Sequence, residues 1–152
     1  MSKAYYMAAI DVERRRCVVV GDGGMADEKV AGLEVCGALV DHVPAARYKR
    51  RLLKGALLVI AATPDRKLNE RVFRDAERRG MLCNVADVPE LCNFILPAVH
   101  RQGSIAVAVS TGGASPALAK RLRSMRPEVK ERFPTYEERR DYFEAVVSAR
   151  LG

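Results

Sequence analysis

The sequence of 152 residues contains no tryptophan, only 6% aromatic residues and only two histidines. It therefore offers few rings on which the bases of a nucleic acid could stack, and it contains no nucleic-acid-binding motif. The four cysteines form no C-x-x-C pair and have no zinc-like spacing, so we expect no metal site and reduced thiols in a cytoplasmic protein. These sparse residues are Cys17, Cys36, Cys83, Cys92, His42 and His100.

Long hydrophobic runs are also absent. The longest, from Leu57 to Ala62, has the length of a strand, whereas a membrane-spanning helix needs about 20 apolar residues. The N-terminal stretch has no apolar segment before its charges, so we expect neither a signal peptide nor a membrane partner. A hydrophobic content of 49% with 30% charged residues nevertheless predicts a folded chain rather than a disordered one.

Positive charge is in excess, because 26 lysines and arginines face 19 acidic residues and give a formal net charge of +7. A solvated basic surface explains this excess, and so does the attraction of an acidic ligand. Because features of nucleic-acid binding are missing, we favour an acidic small molecule as the ligand and do not expect nucleic acid as a partner.

Apolar strand-like runs alternate with helix-like stretches as far as about residue 111. This alternation predicts an α/β protein with a parallel sheet and right-handed crossovers. We expect strands over residues 16–20, 39–43, 57–62 and 82–85, and helices over residues 25–36, 47–54 and 65–79.

The pattern changes after residue 93. Apolar runs around the Gln102-Gly103 turn predict two further strands, and Ser115-Pro116 and Thr135-Tyr136-Glu137-Glu138 are signals for helix starts. We expect these strands over residues 94–99 and 105–110, and the helices over residues 115–123 and 136–150. The expected domains are a nucleotide-binding domain (1–93), a small α+β region (94–124) and a tail (125–152).

A glycine-rich turn follows the first predicted strand and opens the first predicted helix, and it matches G-x-G-x-x-A. In dinucleotide-binding folds the first glycine permits the turn, the second admits a pyrophosphate, and the small last residue lets helix and strand pack closely. A glycine turn without a ligand remains the alternative. The residues predicted to bind the cofactor here are Gly21, Gly23, Gly24, Met25 and Ala26.

Further cofactor contacts are expected near the carboxyl ends of the other strands, where doubly wound sheets bind ligands. Asp41 lies 20 residues after Gly21, at the spacing of an acid that binds ribose hydroxyls and disfavours NADP, although its side chain could point away. Thr63, Asn84 and Val85 follow or end later strands, and ordinary loop capping is their alternative role.

Several short motifs occur along the chain in a fixed order, in the segments 21–30, 58–63, 68–72, 84–87, 94–98 and 110–119. The S-T-G-G-A-S-P-A-L-A string of the last segment is the most specific of them, whereas the glycine turn is shared with many unrelated enzymes. Together they resemble the precorrin-2 dehydrogenase / sirohydrochlorin ferrochelatase family of siroheme synthesis, and the resemblance covers nearly the whole chain.

The resemblance implies a Rossmann-like sheet followed by an α+β dimerisation region and a helical tail. It implies NAD-dependent oxidation of precorrin-2 to sirohydrochlorin in a homodimer, with ferrous iron insertion as a further activity of some members. The family's catalytic aspartate falls on Asp87, and the residue before the family's paired glycines falls on Thr111. At 152 residues we expect no C-terminal methyltransferase domain, which some members carry.

Precorrin-2 is a polycarboxylate, so the resemblance also implies a site of backbone amides and cations. For the basic residues Lys120 and Arg121, solvation at the protein surface is the alternative role. The predicted substrate-binding residues are Thr111, Gly112, Gly113, Ser115, Lys120 and Arg121.

Two departures from the family affect the cofactor. The stretch between Val43 and Leu57 is shorter than expected by about a helix and a strand, so we expect a Rossmann-like sheet with a shortened second half. Asp22 replaces the middle of three family glycines. A tetrapyrrole-binding protein or chelatase that has lost NAD is therefore the alternative function.

Overall fold

The computed structural model describes residues 5–102 and 105–110, and the chain divides into two compact units between Leu96 and Pro97. The first unit is built on a parallel four-stranded sheet. Its strands are β1 (Arg16–Gly21), β2 (Leu39–Val43), β3 (Leu58–Ala62) and β4 (Leu82–Val85), in the order β2-β1-β3-β4. The parallel sheet and all four strands predicted for this unit are confirmed.

The two central strands are buried on both faces, and their alternate residues enter two different cores. Val18 and Val20 of β1 join the core that contains Val72 of helix α2 (Arg66–Glu77). Their neighbours Cys17 and Val19 join the core under helix α1 (Gly24–Glu34). This explains why β1 and β3 are continuous apolar runs, since a strand covered on both sides has no polar face.

Both helices end slightly inside their predicted limits. α1 ends at Glu34, two residues before the predicted limit, and the chain then turns through Gly37 at φ 78°. α2 begins after Asp65, whose carboxylate accepts hydrogen bonds from the Lys67 and Leu68 amides. Asp65 thus caps the α2 helix rather than forming its first turn.

The predicted helix over residues 47–54 is wrong. The structure instead has two 3₁₀ turns, Ala45–Arg47 and Arg50–Leu53, joined by extended backbone at Tyr48 and Lys49. Tyr48 is buried, and its hydroxyl donates a hydrogen bond of 3.0 Å to Asp75 of α2. This stretch must cross from β2 past β1 to β3, and extended backbone covers about twice the distance per residue that a helix does.

The strand order confirms the expected shortening of the second half of the Rossmann-like sheet. The doubly wound order 3-2-1-4-5-6 places another strand outside the second, but within residues 5–102 and 105–110 β2 pairs with β1 alone. β2 is therefore an edge strand, and most of its residues are exposed.

The strand predicted over residues 94–99 begins four residues later, at Ala98, whereas the strand predicted over residues 105–110 is confirmed. Segment 93–94 is held beside β4 by asparagine side chains: Asn93 accepts a hydrogen bond from the Cys83 amide, and Asn84 donates one to the Phe94 carbonyl. In the second unit, β5 (Ala98–Gln102) pairs antiparallel with β6 (Ile105–Val109). The helices predicted over 115–123 and 136–150 lie outside the described residues.

No helix in the described part of the chain combines the length and the apolar character that crossing a membrane requires.

We predict that Gly21→Ala destabilises the first unit by about 3 kcal/mol, because the added Cβ would lie 2.1 Å from the Ala62 carbonyl oxygen. The φ of Gly21, 147°, is also one that residues with a side chain rarely adopt. Gly24→Ala is the matched control, because a Cβ there meets no atom within 4 Å. It should change the free energy of unfolding by less than about 1 kcal/mol. Urea unfolding followed by circular dichroism measures both, and equal losses would contradict the close-approach explanation.

Candidate cofactor site

Three strand ends meet at one edge of the sheet. The register aligns Gly21 with Ala62 and Ala61 with Val85, and the Ala86 amide donates to the Ala61 carbonyl. The turns that follow β1, β3 and β4 therefore emerge side by side, at the edge where parallel sheets bind ligands.

Gly21 is buried at the end of β1, directly beside Ala62 of β3. The position cannot hold a side chain without moving the Ala62 backbone. Ala26 is also fully buried, and it lies 3.4 Å from the place that a Gly21 Cβ would occupy. Two small residues thus let α1 begin directly against the end of β1.

Gly23 and Gly24 form an open cradle, which we define as the glycine cradle. Gly23 has φ 79° and ψ −172°, a region that is essentially restricted to glycine. A Cβ on either residue would meet no atom within 4 Å, and no side chain of the described residues caps α1. The first amides of a helix with its positive dipole end suit a phosphate group, so the glycine cradle fits the pyrophosphate of a dinucleotide. Met25 follows it and is 46% exposed.

Asp41 is not brought to the glycine cradle. Its carboxylate accepts a hydrogen bond of 2.8 Å from Nε of Arg16, at the opposite end of β1, and pairs with that guanidinium. Asp41 aligns with Val18 in the middle of β2 rather than at its carboxyl end. Ribose binding by Asp41 stays a prediction that this arrangement does not support.

The polar side chains at the ends of β3 and β4 are used within the protein. The Thr63 hydroxyl and Asn69 amide oxygen are 2.7 Å apart, and the Asn69 amide donates to the Thr63 carbonyl. The Asn84 amide donates to Phe94, and the Val85 amide donates to Sγ of Cys92 at 3.2 Å. Cofactor contacts by Thr63, Asn84 and Val85 remain predictions, and the Thr63 and Asn84 side chains, with the Val85 backbone amide, organise this edge.

Asp87 is exposed just beyond the end of β4. It lies in a tight turn that the Val88 amide closes with the Val85 carbonyl at 3.2 Å. Its φ is 61°, which is uncommon for a residue other than glycine, although aspartate tolerates it better than most. The carboxylate therefore lies at the same sheet edge as the glycine cradle and is open to solvent.

Two strongly shifted groups belong to the cores. Burial raises the pKa of the Cys83 thiol to about 12, with smaller contributions from Cys92 and Glu77. Burial, and next the hydrogen bond to Asp75, raises the pKa of Tyr48. Both groups stay protonated at neutral pH and stabilise the folded unit rather than act as acids or bases.

Two side chains beside the cradle were not among the predicted site residues. His42 Nε2 lies 2.9 Å from the Gly21 carbonyl oxygen, and the Asp22 carboxylate accepts a hydrogen bond of 2.9 Å from the Ala45 amide. The sequence signal for Asp22 was its place inside the glycine triplet. His42 gave no such signal, because its contact depends on the β1–β2 register.

The described residues contain no group of three or more histidine, cysteine or acidic side chains placed to hold a metal ion. The predicted substrate residues Thr111, Gly112, Gly113, Ser115, Lys120 and Arg121 lie outside the described residues.

Comparison with family models agrees with this geometry. Residues 8–98 match the model described as putative NAD(P)-binding. The chain belongs to this NAD(P)-binding family. Residues 102–124 match the central region of sirohaem biosynthesis proteins, and residues 116–152 match the sirohaem synthase dimerisation region. The resemblance inferred from the sequence motifs is thereby confirmed.

Curated relatives named siroheme synthase are similar over most of this chain. The protein from Methylobacillus flagellatus is 36% identical over 91% of this chain and 38% of its own length. That from Methylococcus capsulatus is 39% identical over 71% of this chain and 27% of its own length. The chain thus spans about 40% or less of these relatives. The first alignment runs over 176 residues, more than this chain has, so the relative carries residues in the matched region that are missing here.

A solved structure described as SirC, precorrin-2 dehydrogenase, has the same fold. It superposes with a TM-score of 0.68 at 23% sequence identity, covering 85% of this chain and 71% of that one.

We predict that Gly23→Ala weakens NAD binding about ten-fold or more, because a β-carbon would enter the glycine cradle and strain its backbone. Gly32→Ala within α1 is the matched control: its Cβ meets no atom within 4 Å, and affinity should stay within about two-fold. Isothermal titration of the folded variants with NAD measures both. Unchanged affinity in Gly23→Ala would exclude the cradle as the phosphate site.

Proposed function

We propose that the protein oxidises precorrin-2 to sirohydrochlorin with NAD as the acceptor. The observation that carries this proposal is the placement of an open glycine cradle and an exposed aspartate at one sheet edge. The order of the matched family regions supports it, as do the names of the curated relatives and of the structural neighbour.

The chain's part in cofactor binding follows from the cradle. The amides at Gly24 and Met25 would hold the pyrophosphate, while Gly21 and Ala26 keep the start of α1 close to the sheet. When bound, NAD supplies the acceptor for the hydride that leaves the substrate.

Asp87 is the proposed proton acceptor. Dehydrogenation removes a hydride and a proton, and the proton needs a base or water. β4 lies two strand spacings, or about 10 Å, from β1, with only the end of β3 between them. The exposed Asp87 carboxylate would take the proton or orient the macrocycle.

The substrate would be held largely by the second unit. A polycarboxylate suits a chain with a formal charge of +7, and we propose Thr111, Gly112, Gly113, Ser115, Lys120 and Arg121 as its contacts. The match to a sirohaem synthase dimerisation region supports a homodimer. Four cysteines that carry thiols rather than disulfides support a cytoplasmic location.

A second candidate is a chelatase or tetrapyrrole-binding protein without redox function. The observation that favours it is that the described part of the chain places no strand outside β2, where such a strand would add to the surface beside the glycine cradle. Titration with NAD separates the two functions, because no binding at millimolar NAD would favour the second. Addition of ferrous iron to sirohydrochlorin tests iron insertion, in which the Asp87 carboxylate would accept pyrrole protons.

We predict that Asp87→Asn lowers the rate of precorrin-2 oxidation about 100-fold or more, because asparagine cannot accept the proton. Asparagine tolerates a φ of 61°, so the turn and the NAD affinity should be preserved. The conversion is followed by visible absorption in the presence of NAD.

The control is Glu90→Gln, another exposed acid in the same loop, which lies 3.9 Å from Arg66. Its rate should stay within about two-fold of the unmodified protein. A folded Asp87→Asn protein that retains the full rate would remove Asp87 from the mechanism.

A further inference from the structure

The acid that should meet the adenosine ribose is missing from its usual position in this chain. Dinucleotide-binding folds place it about 20 residues after the glycine turn, near the end of the second strand. Here Asp41 is paired with Arg16 at the other end of β1, and β2 ends at Val43 followed by Pro44. Neither Val43 nor Pro44 has a side chain that can accept a hydrogen bond.

A different carboxylate occupies this place. Asp22 leaves the glycine turn towards β2, and its Oδ2 accepts a hydrogen bond of 2.9 Å from the amide of Ala45. Because Val20 aligns with Val43, this bond continues the β1–β2 alignment two residues beyond their last aligned pair. Asp22 is exposed, and its Oδ1 accepts no hydrogen bond from the described residues.

We propose that Asp22 is the residue that selects NAD over NADP, by accepting a hydrogen bond from the adenosine ribose and repelling a 2′-phosphate. The inference rests on the proposed NAD-binding function. Asp22 would serve as the ribose acid from the glycine turn itself, in a sheet whose described strands end at β2.

The surroundings explain why the carboxylate is held there. The Ala45 amide fixes one oxygen at the start of the first 3₁₀ turn, and His42 binds the neighbouring Gly21 carbonyl. Arg47 ends that turn, is exposed, and has no ion-pair partner among the described residues. Without the Asp22 charge, Arg47 would favour a 2′-phosphate, so the preference depends on one carboxylate.

The test is isothermal titration of the full chain with NAD and with NADP. The unmodified protein should bind NAD more tightly. Asp22→Asn keeps an oxygen for the Ala45 amide but removes the charge, so it should raise the ratio of NADP to NAD affinity about ten-fold or more, which corresponds to 1.4 kcal/mol. Its melting temperature should be nearly unchanged, which separates charge from a merely structural role.

Two variants make the comparison specific. Asp41→Asn removes the acid at the expected spacing and should leave the ratio within about two-fold. Asp27→Asn removes an exposed charge from the first turn of α1 and should shift both affinities together. An unchanged ratio in Asp22→Asn, a relaxed ratio in Asp41→Asn, or equal binding of both cofactors by the unmodified protein would overturn the inference.

The outcomes also separate the inference from the proposed function. Absence of binding to either cofactor would overturn both. Selective NAD binding that depends on Asp22, in a protein that never oxidises precorrin-2, would support the inference and overturn the proposed function.

Discussion

The close approach of β1 and β3 at Gly21 is the constraint on which the functional edge depends. A side chain at this position would enter the Ala62 carbonyl, so only glycine lets the two central strands stay paired to their ends. With the strands paired, α1 begins immediately beyond the sheet, and its free amides face the same edge as the turn after β4. Because β1, β3 and β4 run parallel, the glycine cradle and the exposed Asp87 share this edge, and the glycine at position 21 keeps the cradle close to it.

Loss of the unit between β2 and β3 changes what surrounds this edge. The crossing stretch is secured to α2 by buried Tyr48, whose hydroxyl meets Asp75 and whose ring lies 5.5 Å from the Arg71 guanidinium. β2 becomes an edge strand, and the turn after it is tied to the glycine loop through Asp22. In the shortened sheet this hydrogen bond holds the two turns beside the glycine cradle together.

Most polar side chains near the ends of β3 and β4 form hydrogen bonds within the protein, whereas Asp87 is exposed. Cys92 and Asn93 accept hydrogen bonds from β4 amides, and Asn84 of β4 donates one to Phe94, so the segment after β4 is held against the strand. Thr63 and Asn69 brace the turn after β3. Asp87 lies beyond them in a left-handed turn and remains exposed. Internal bracing of this kind leaves the Asp87 carboxylate exposed at the sheet edge.

The sequence alone determined the four parallel strands, both helices and the glycine turn, because each depends on local patterns: continuous apolar runs, helical periodicity and residues that tolerate a tight turn. It also carried enough motifs to indicate the family. Only the tertiary structure decided that Asp41 turns to Arg16, 25 residues away, and that Asp22 turns to Ala45, 23 residues away. It also decided that residues 47–54 extend rather than coil, because they must span the sheet. Spacing along the chain places a residue on a strand, but the partner of its side chain depends on strand register and direction, which are set by the packing of distant segments.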